Sequence, residues 1–250
     1  MKNSLLLIIF LLSILSCRDE DDSKDNCTSN CTIVKGRIFS VNNEPVANVN
    51  ITVEYRVGGI GSTTRKMVDV KTDKDGNYYK SFYVKDAEMG EDAAGYFKLN
   101  IDDSKIDINK YIRTNNLIGN TSSVISTTFQ ISKRDTIIEN NLYIPQKTFI
   151  KVNLKNFVSQ QEGDFFEVQT LYPFGGNVGY NAFLDSPYDT GFSGYGNWQA
   201  KNANTTHTIF VAADEKNVVR IFKRKNGINT SKDSLFFIPR NNNIQLNYNY

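Results

Sequence analysis

The 250-residue chain contains one histidine, one tryptophan, three methionines, three cysteines and five prolines. With a single histidine, His207 in TTHTIFVAA, any Ser–His–Asp or Cys–His site would have to rest on that one side chain. A lone histidine alternating with Ile209 and Val211 along a strand is the ordinary structural case. Three cysteines without a neighbouring histidine do not supply the four ligands of a structural zinc site. The formal charge is only +2, so no global field draws the protein to nucleic acid or to an acidic membrane. The longest apolar run, Leu5 to Leu15, is too short to cross a hydrocarbon core, which needs about 20 residues. GFSGYG at 191–196 is not a nucleophile elbow, because Tyr195 stands where the last glycine belongs. Asp73, Asp75 and Asn77 imitate the start of a calcium loop, but the bidentate glutamate required at position twelve is replaced by Val84. No catalytic residue, metal ligand or cofactor is assigned.

What is present begins at the N-terminus. Lys2, the apolar run and a small-residue exit form an export signal. The exit, Leu15-Ser16-Cys17, resembles the lipobox of bacterial lipoproteins. The resemblance implies cleavage before Cys17, a diacylglycerol on its sulfur and an acylated new amine. One acyl chain binds a membrane only marginally, whereas several hold it stably. Residues 1–16 are then the signal peptide. Arg18 is followed by Asp19, Glu20, Asp21 and Asp22, a composition expected to stay solvated, and residues 17–31 are expected to form an acidic tether. Acids beside a lipidated cysteine resemble the export tag of surface-displayed lipoproteins, and a plain spacer is the other reading. The expected place is the outer membrane, facing outward or, alternatively, the periplasm. Cys27 and Cys31 remain for a candidate disulfide in an oxidising compartment.

From Thr32 onward the pattern has period two. Val49, Ile51, Val53, Tyr55 and Val57 alternate with polar residues, as do Ile244, Leu246, Tyr248 and Tyr250. Such alternation predicts half-buried antiparallel strands. Further strands are predicted at 32–41, 63–73, 77–86, 95–102, 123–132, 136–144, 148–156, 165–172, 206–213, 217–225 and 233–239. Only 103–118 is mixed, with a helical turn predicted over IDINKYI. The spacing predicts an all-β fold of two tandem antiparallel β-sandwich domains, 32–146 and 147–250, after the signal peptide and tether.

Residues 33 to 85 carry IVKGRIFSVNNEPVANVNITVEYRV and, after a loop, VDVKTDKDGNYYKSFYV. The Gly36 strand, the NNEPVANVNI turn and the TDKDGNY segment resemble the carboxypeptidase regulatory-like domain, a transthyretin-like sandwich. The resemblance implies no activity of its own. Asp75-Gly76 between alternating strands predicts a hairpin. No family is recognised in the second unit. There, VVRIFKRKNG places Arg220, Phe222 and Arg224 on one face. Guarding a sheet edge explains these charges better than nucleic-acid binding.

The stretch 172–198 is long for a connection and rich in aromatics. Tyr180, Phe183, Tyr188, Phe192, Tyr195 and Trp198 among flexible glycines suit a sugar or a partner protein. The plainer reading is that the rings plug the loop onto its own sheet. The sequence therefore points to a non-enzymatic surface scaffold, binding or adhesion module. Its expected partners are the membrane through the lipid anchor, and envelope proteins or glycans. A glycan-binding lipoprotein and an enzyme with dispersed carboxylates are the rivals.

Overall fold

A computed structural model describes residues 18–59, 62–117, 119–189, 198–200 and 203–250. Residues 1–16, expected as the signal peptide, and Cys17 lie outside the described residues. The protein is all-β. Chain alternation sets the strands: in β3 (Asn50–Val57), Ile51, Val53 and Tyr55 are buried while Asn50, Thr52 and Glu54 face outward, as a pleated strand with one wet face requires.

The first sandwich packs two sheets. One runs β1 (Arg18–Asp21), β4 (Thr63–Lys71), β3, β6 (Tyr96–Asp102) and β7 (Val124–Phe129) in spatial order. The other runs β13 (Ser186–Tyr188), β12 (Gly175–Asn181), β9 (Leu142–Tyr143), β2 (Thr32–Phe39) and β5 (Asn77–Phe82), with β8 (Ile137–Glu139) also on β2. Between them lies a core that includes Val34, Ile38, Val53, Phe97, Leu99 and Ile101. The second sandwich faces β15 (Ala203–Ala212), β10 (Lys147–Phe157) and β18 (Gln245–Asn249) against β14 (Trp198–Ala200), β11 (Phe165–Leu171), β16 (Glu215–Lys225) and β17 (Ile228–Ile238). Its core gathers Val152, Leu154, Phe166, Val168, Val219 and Ile221. Asp164, in the connection from β10 to β11, accepts hydrogen bonds from the backbone of Gln160 and Gln161 and of Asn226 and Gly227 at the β16–β17 tip.

Several sequence expectations need correction. Pairing is not purely antiparallel: β1–β4, β2–β8, β2–β9 and β10–β18 are parallel. The acidic stretch is not a free tether. Arg18–Asp21 is a strand on β4, and Asp22 continues the contact through its backbone N–H to the Lys66 carbonyl, 2.7 Å. Its carboxylates meet cations: Asp21 with Lys66 at 3.0 Å, Glu20 with Lys85 at 2.6 Å, and Asp22 with Arg65 at 2.6 Å. Hydrogen bonds from Ser23 and then Lys66 hold the Asp21 carboxyl down at about 2. The chain next turns back through a disulfide between Cys27 and Cys31, Cα atoms 5.8 Å apart, into β2.

The Asp73–Asn77 segment does turn, with Asp73 accepting from the N–H groups of Asp75 and Asn77, each 2.9 Å. Gly76 adopts φ +76° there, a conformation open to glycine. The turn is no hairpin, however: β4 lies in one sheet and β5 in the other, so it arches across the core. Segment 136–144 is broken into β8 and β9, because the carbonyl of Asn140 packs onto Gly36, where a Cβ would lie 1.9 Å from it. IDINKYI does turn, the Lys110 and Tyr111 N–H groups both donating to the Asp107 carbonyl at 3.1 and 2.9 Å. Those turns are pinned by the buried carboxylate of Asp103, which accepts from the Thr114 N–H and hydroxyl at 2.6 and 2.7 Å. β16 is not an edge strand; it runs between β11 and β17.

The largest correction concerns the border at 146. After β11 the chain returns to the first sandwich: Tyr172 and Phe174 enter its core, and β12 pairs with β9. The two halves therefore interleave. They are also joined by Glu44, which takes Arg240 at 3.2 Å and Lys110 at 3.6 Å.

Candidate binding surface

The stretch expected as one long aromatic loop is divided between the sandwiches. Its first part is the hairpin of β12 and β13, added to the edge of the first sandwich's sheet. Its last part, Trp198–Ala200, is β14 of the second, with the backbone of Trp198 opposite Val168. Phe192, Tyr195 and the side chain of Trp198 lie outside the described residues.

Tyr188 does what the plug reading expected. Its ring stacks on Tyr143 at 4.2 Å and 6°, and Phe39 meets both rings edge-on at 5.8 and 5.9 Å. Edge-on and offset arrangements suit the ring quadrupoles, at about 0.5–1.5 kcal/mol per pair beyond area burial. The Tyr143 hydroxyl donates to Glu215 Oε1 at the start of β16, linking the two sandwiches. Burial pushes the Glu215 carboxyl up, against the pull of that hydrogen bond. Burial, with Glu215 beside it, also raises the Tyr143 phenol.

The tip of the hairpin is bolted onto the outward face of β16. Leu184 is buried. Asp185, in a left-handed turn conformation, pairs with Lys216 at 2.9 Å. The Tyr180 hydroxyl donates to the same carboxylate, and those two bonds hold Asp185 below its usual range. The Arg220 guanidinium sits 5.1 Å from the Phe183 ring centroid and is itself fixed by Asp233 at 2.8 and 3.0 Å.

Around this bolt the surface is apolar. Tyr180 is 69 % exposed and Phe183 46 %. The β16–β17 register sets Leu235 opposite Val218 and Phe237 opposite Lys216, which puts both on the face that carries Arg220. They are 54 % and 60 % exposed. The result is an aromatic and aliphatic face whose flanking charges are paired within the chain, on a backbone braced from two sandwiches. Such a face offers ring and methyl contacts without asking the partner to neutralise a charge.

Sequence reasoning missed Leu235, Phe237, Arg220 and Glu215 as parts of this surface. One signal was available. LFFI at 235–238 is apolar on both strand faces, so whichever pair turned away from the core had to be exposed or covered. His207, on β15 opposite Val152, is half-buried, and burial lowers its pKa.

No family model matches the chain, and no curated protein does. Solved structures with a partial likeness include the Bacillus anthracis TIE protein, at 14 % identity and TM-score 0.31, covering 88 % of this chain and 33 % of that one. A streptococcal ancillary pilin follows at 10 % and 0.29, covering 89 % and 63 %. The shaft pilin of Lactobacillus rhamnosus GG stands at 10 % and 0.29, covering 87 % and 96 %. The chain thus spans a third of the first and less than two thirds of the second. Likeness this low assigns no function.

Proposed function

We propose that this is a non-enzymatic lipoprotein of the outer membrane, facing outward, that works as a surface scaffold or adhesion module and engages a protein partner through the hairpin face. The observation that carries the binding role is the exposed set Tyr180, Phe183, Leu235 and Phe237 on a rigid support. Exposed aromatics held in place lose little conformational freedom on binding. The export signal and the Leu15-Ser16-Cys17 exit support the location.

A photo-crosslinking residue placed at Phe183 on living cells tests this, with one at the exposed Tyr79 of the first sandwich as control. The expected result is a defined protein adduct from position 183 and none from 79. Equal labelling from both positions, or none from 183, removes the reading. The glycan alternative is favoured by the exposed ring of Tyr180 beside Asn181 and Asp185. Binding on a glycan array that is lost in Tyr180→Ala would select it.

A further inference from the structure

The docked position of β1 has a geometric consequence. Residue 18 is already paired with Thr63, and the register runs parallel from there to Asp21 and Lys66. An anchor on the residue directly preceding Arg18 would be a single Cα step, about 3.8 Å, from that end of the sheet. Asp22 locks the strand through its bond to Arg65, whose other nitrogens hold Glu88 and the Tyr83 carbonyl.

The ends of the neighbouring strands follow from the pairings. Thr63 lies opposite Val57, Arg56 opposite Tyr96, and Phe97 opposite Phe129. Val57, Thr63, Tyr96 and Phe129 thus share the end at which Arg18 sits. Asn50, Lys71, Asp102 and Val124 share the other. The second sandwich joins at that other end. β5 leaves the arch at Asn77, and Asn77 pairs with Arg37 near the end of β2. Beyond β2 comes Glu44, the contact to Arg240.

We infer that the end of the first sandwich bearing Thr63, Val57, Tyr96 and Phe129 is a lipid-facing surface, pressed on the bilayer by an anchor at Cys17 without an intervening tether, so that the second sandwich stands outward. The inference rests on the lipid-anchor reading above. A second observation points the same way: Tyr96 is 39 % exposed at this end, and tyrosine suits the headgroup layer, where its ring and hydroxyl meet different media. Sequence alone suggested a loose body on an acidic string. The structure makes it a body with a fixed stance.

The test uses the acylated protein purified from membranes, its mass confirming the lipid, in vesicles of phosphatidylethanolamine and phosphatidylglycerol doped with a headgroup-quencher lipid. Single fluorophores are attached at Thr63→Cys or Lys74→Cys. At about 3.4 Å per residue, β4 carries Lys71 about 27 Å from Thr63, and Lys74 lies in the arch just beyond that end. Quenching is expected to be several-fold stronger at 63 than at 74. Inserting about 20 Gly/Ser residues between positions 17 and 18, with a root-mean-square span of about 25 Å, is expected to abolish the difference without lowering the melting temperature. Acylated protein with equal quenching at both sites overturns this inference and leaves the anchor reading standing. A chain with no lipid at Cys17 overturns both.

Discussion

Arg65→Met tests the energetics of the first sandwich most directly. The Arg65 side chain is 8 % exposed and that of Glu88 6 %. Both Glu88 oxygens accept from the same guanidinium nitrogen, at 2.9 and 2.7 Å, and the Lys85 N–H adds 2.9 Å. Removing the cation leaves a buried carboxylate with one neutral donor. Breaking a buried pair from one side costs about 3–5 kcal/mol. The contact to Asp22 is more open, at 35 % exposure of the carboxylate, and adds at most about 1 kcal/mol. Methionine occupies much of the volume, so the cavity contribution is small. The expected loss is then about 3–5 kcal/mol, a large share of the roughly 5–15 kcal/mol that holds a domain folded. Urea unfolding of residues 18–250, followed by circular dichroism, measures it. The double variant Arg65→Met/Glu88→Leu removes both charges together and is expected to recover most of the loss, because the penalty belongs to the orphaned charge. A single-variant loss below about 1 kcal/mol, the level of a surface pair, or a double variant as weak as the single, refutes the reasoning.

Two more predictions follow from named contacts. Burial raises the Glu215 carboxyl in the folded state. The protonated form therefore favours folding, and that contribution is present below the ordinary carboxyl range and lost as pH rises through the folded value. Glu215→Gln keeps an acceptor for Tyr143 and is expected to gain in melting temperature over the parent at pH 7 but not at pH 4; a pH-independent difference counts against it. At Gly36 an added Cβ would lie 1.9 Å from the Asn140 carbonyl oxygen and 2.7 Å from the Tyr78 hydroxyl. Gly36→Ala must displace the 140 loop, at a cost of about 1–3 kcal/mol for an overpacked site. An unchanged unfolding midpoint would show that the loop yields freely.

Much of the strand content was legible because a half-buried strand advertises itself locally: β3, β10 and β18 each follow from alternation in their own residues. Turn chemistry was equally local, and Asp73-Lys74-Asp75-Gly76 does turn. Local chemistry does not say which sheet receives the next strand, and β5 went across the core rather than beside β4. The tether was misread for a similar reason. Asp19 to Asp22 look solvated until Arg65, Lys66 and Lys85, far along the chain, are brought to them.

The candidate surface was half visible. Tyr180, Phe183 and Tyr188 were picked out by composition, but their roles were not. Tyr188 became a buttress because Tyr143 and Phe39 lie within ring contact, and Tyr180 and Phe183 were left outside. Leu235 and Phe237 joined them only through the β16–β17 register.

By itself, then, the sequence determined that the chain is built of strands and where most of them run, because period-two burial and short-range composition carry that information. Tertiary structure alone decided that the halves interleave, that the acidic stretch is a docked strand, and which rings and aliphatic side chains are left together on one exposed face. Those outcomes depend on pairing partners tens of residues apart, whose charges and faces become complementary only once the sheets have formed.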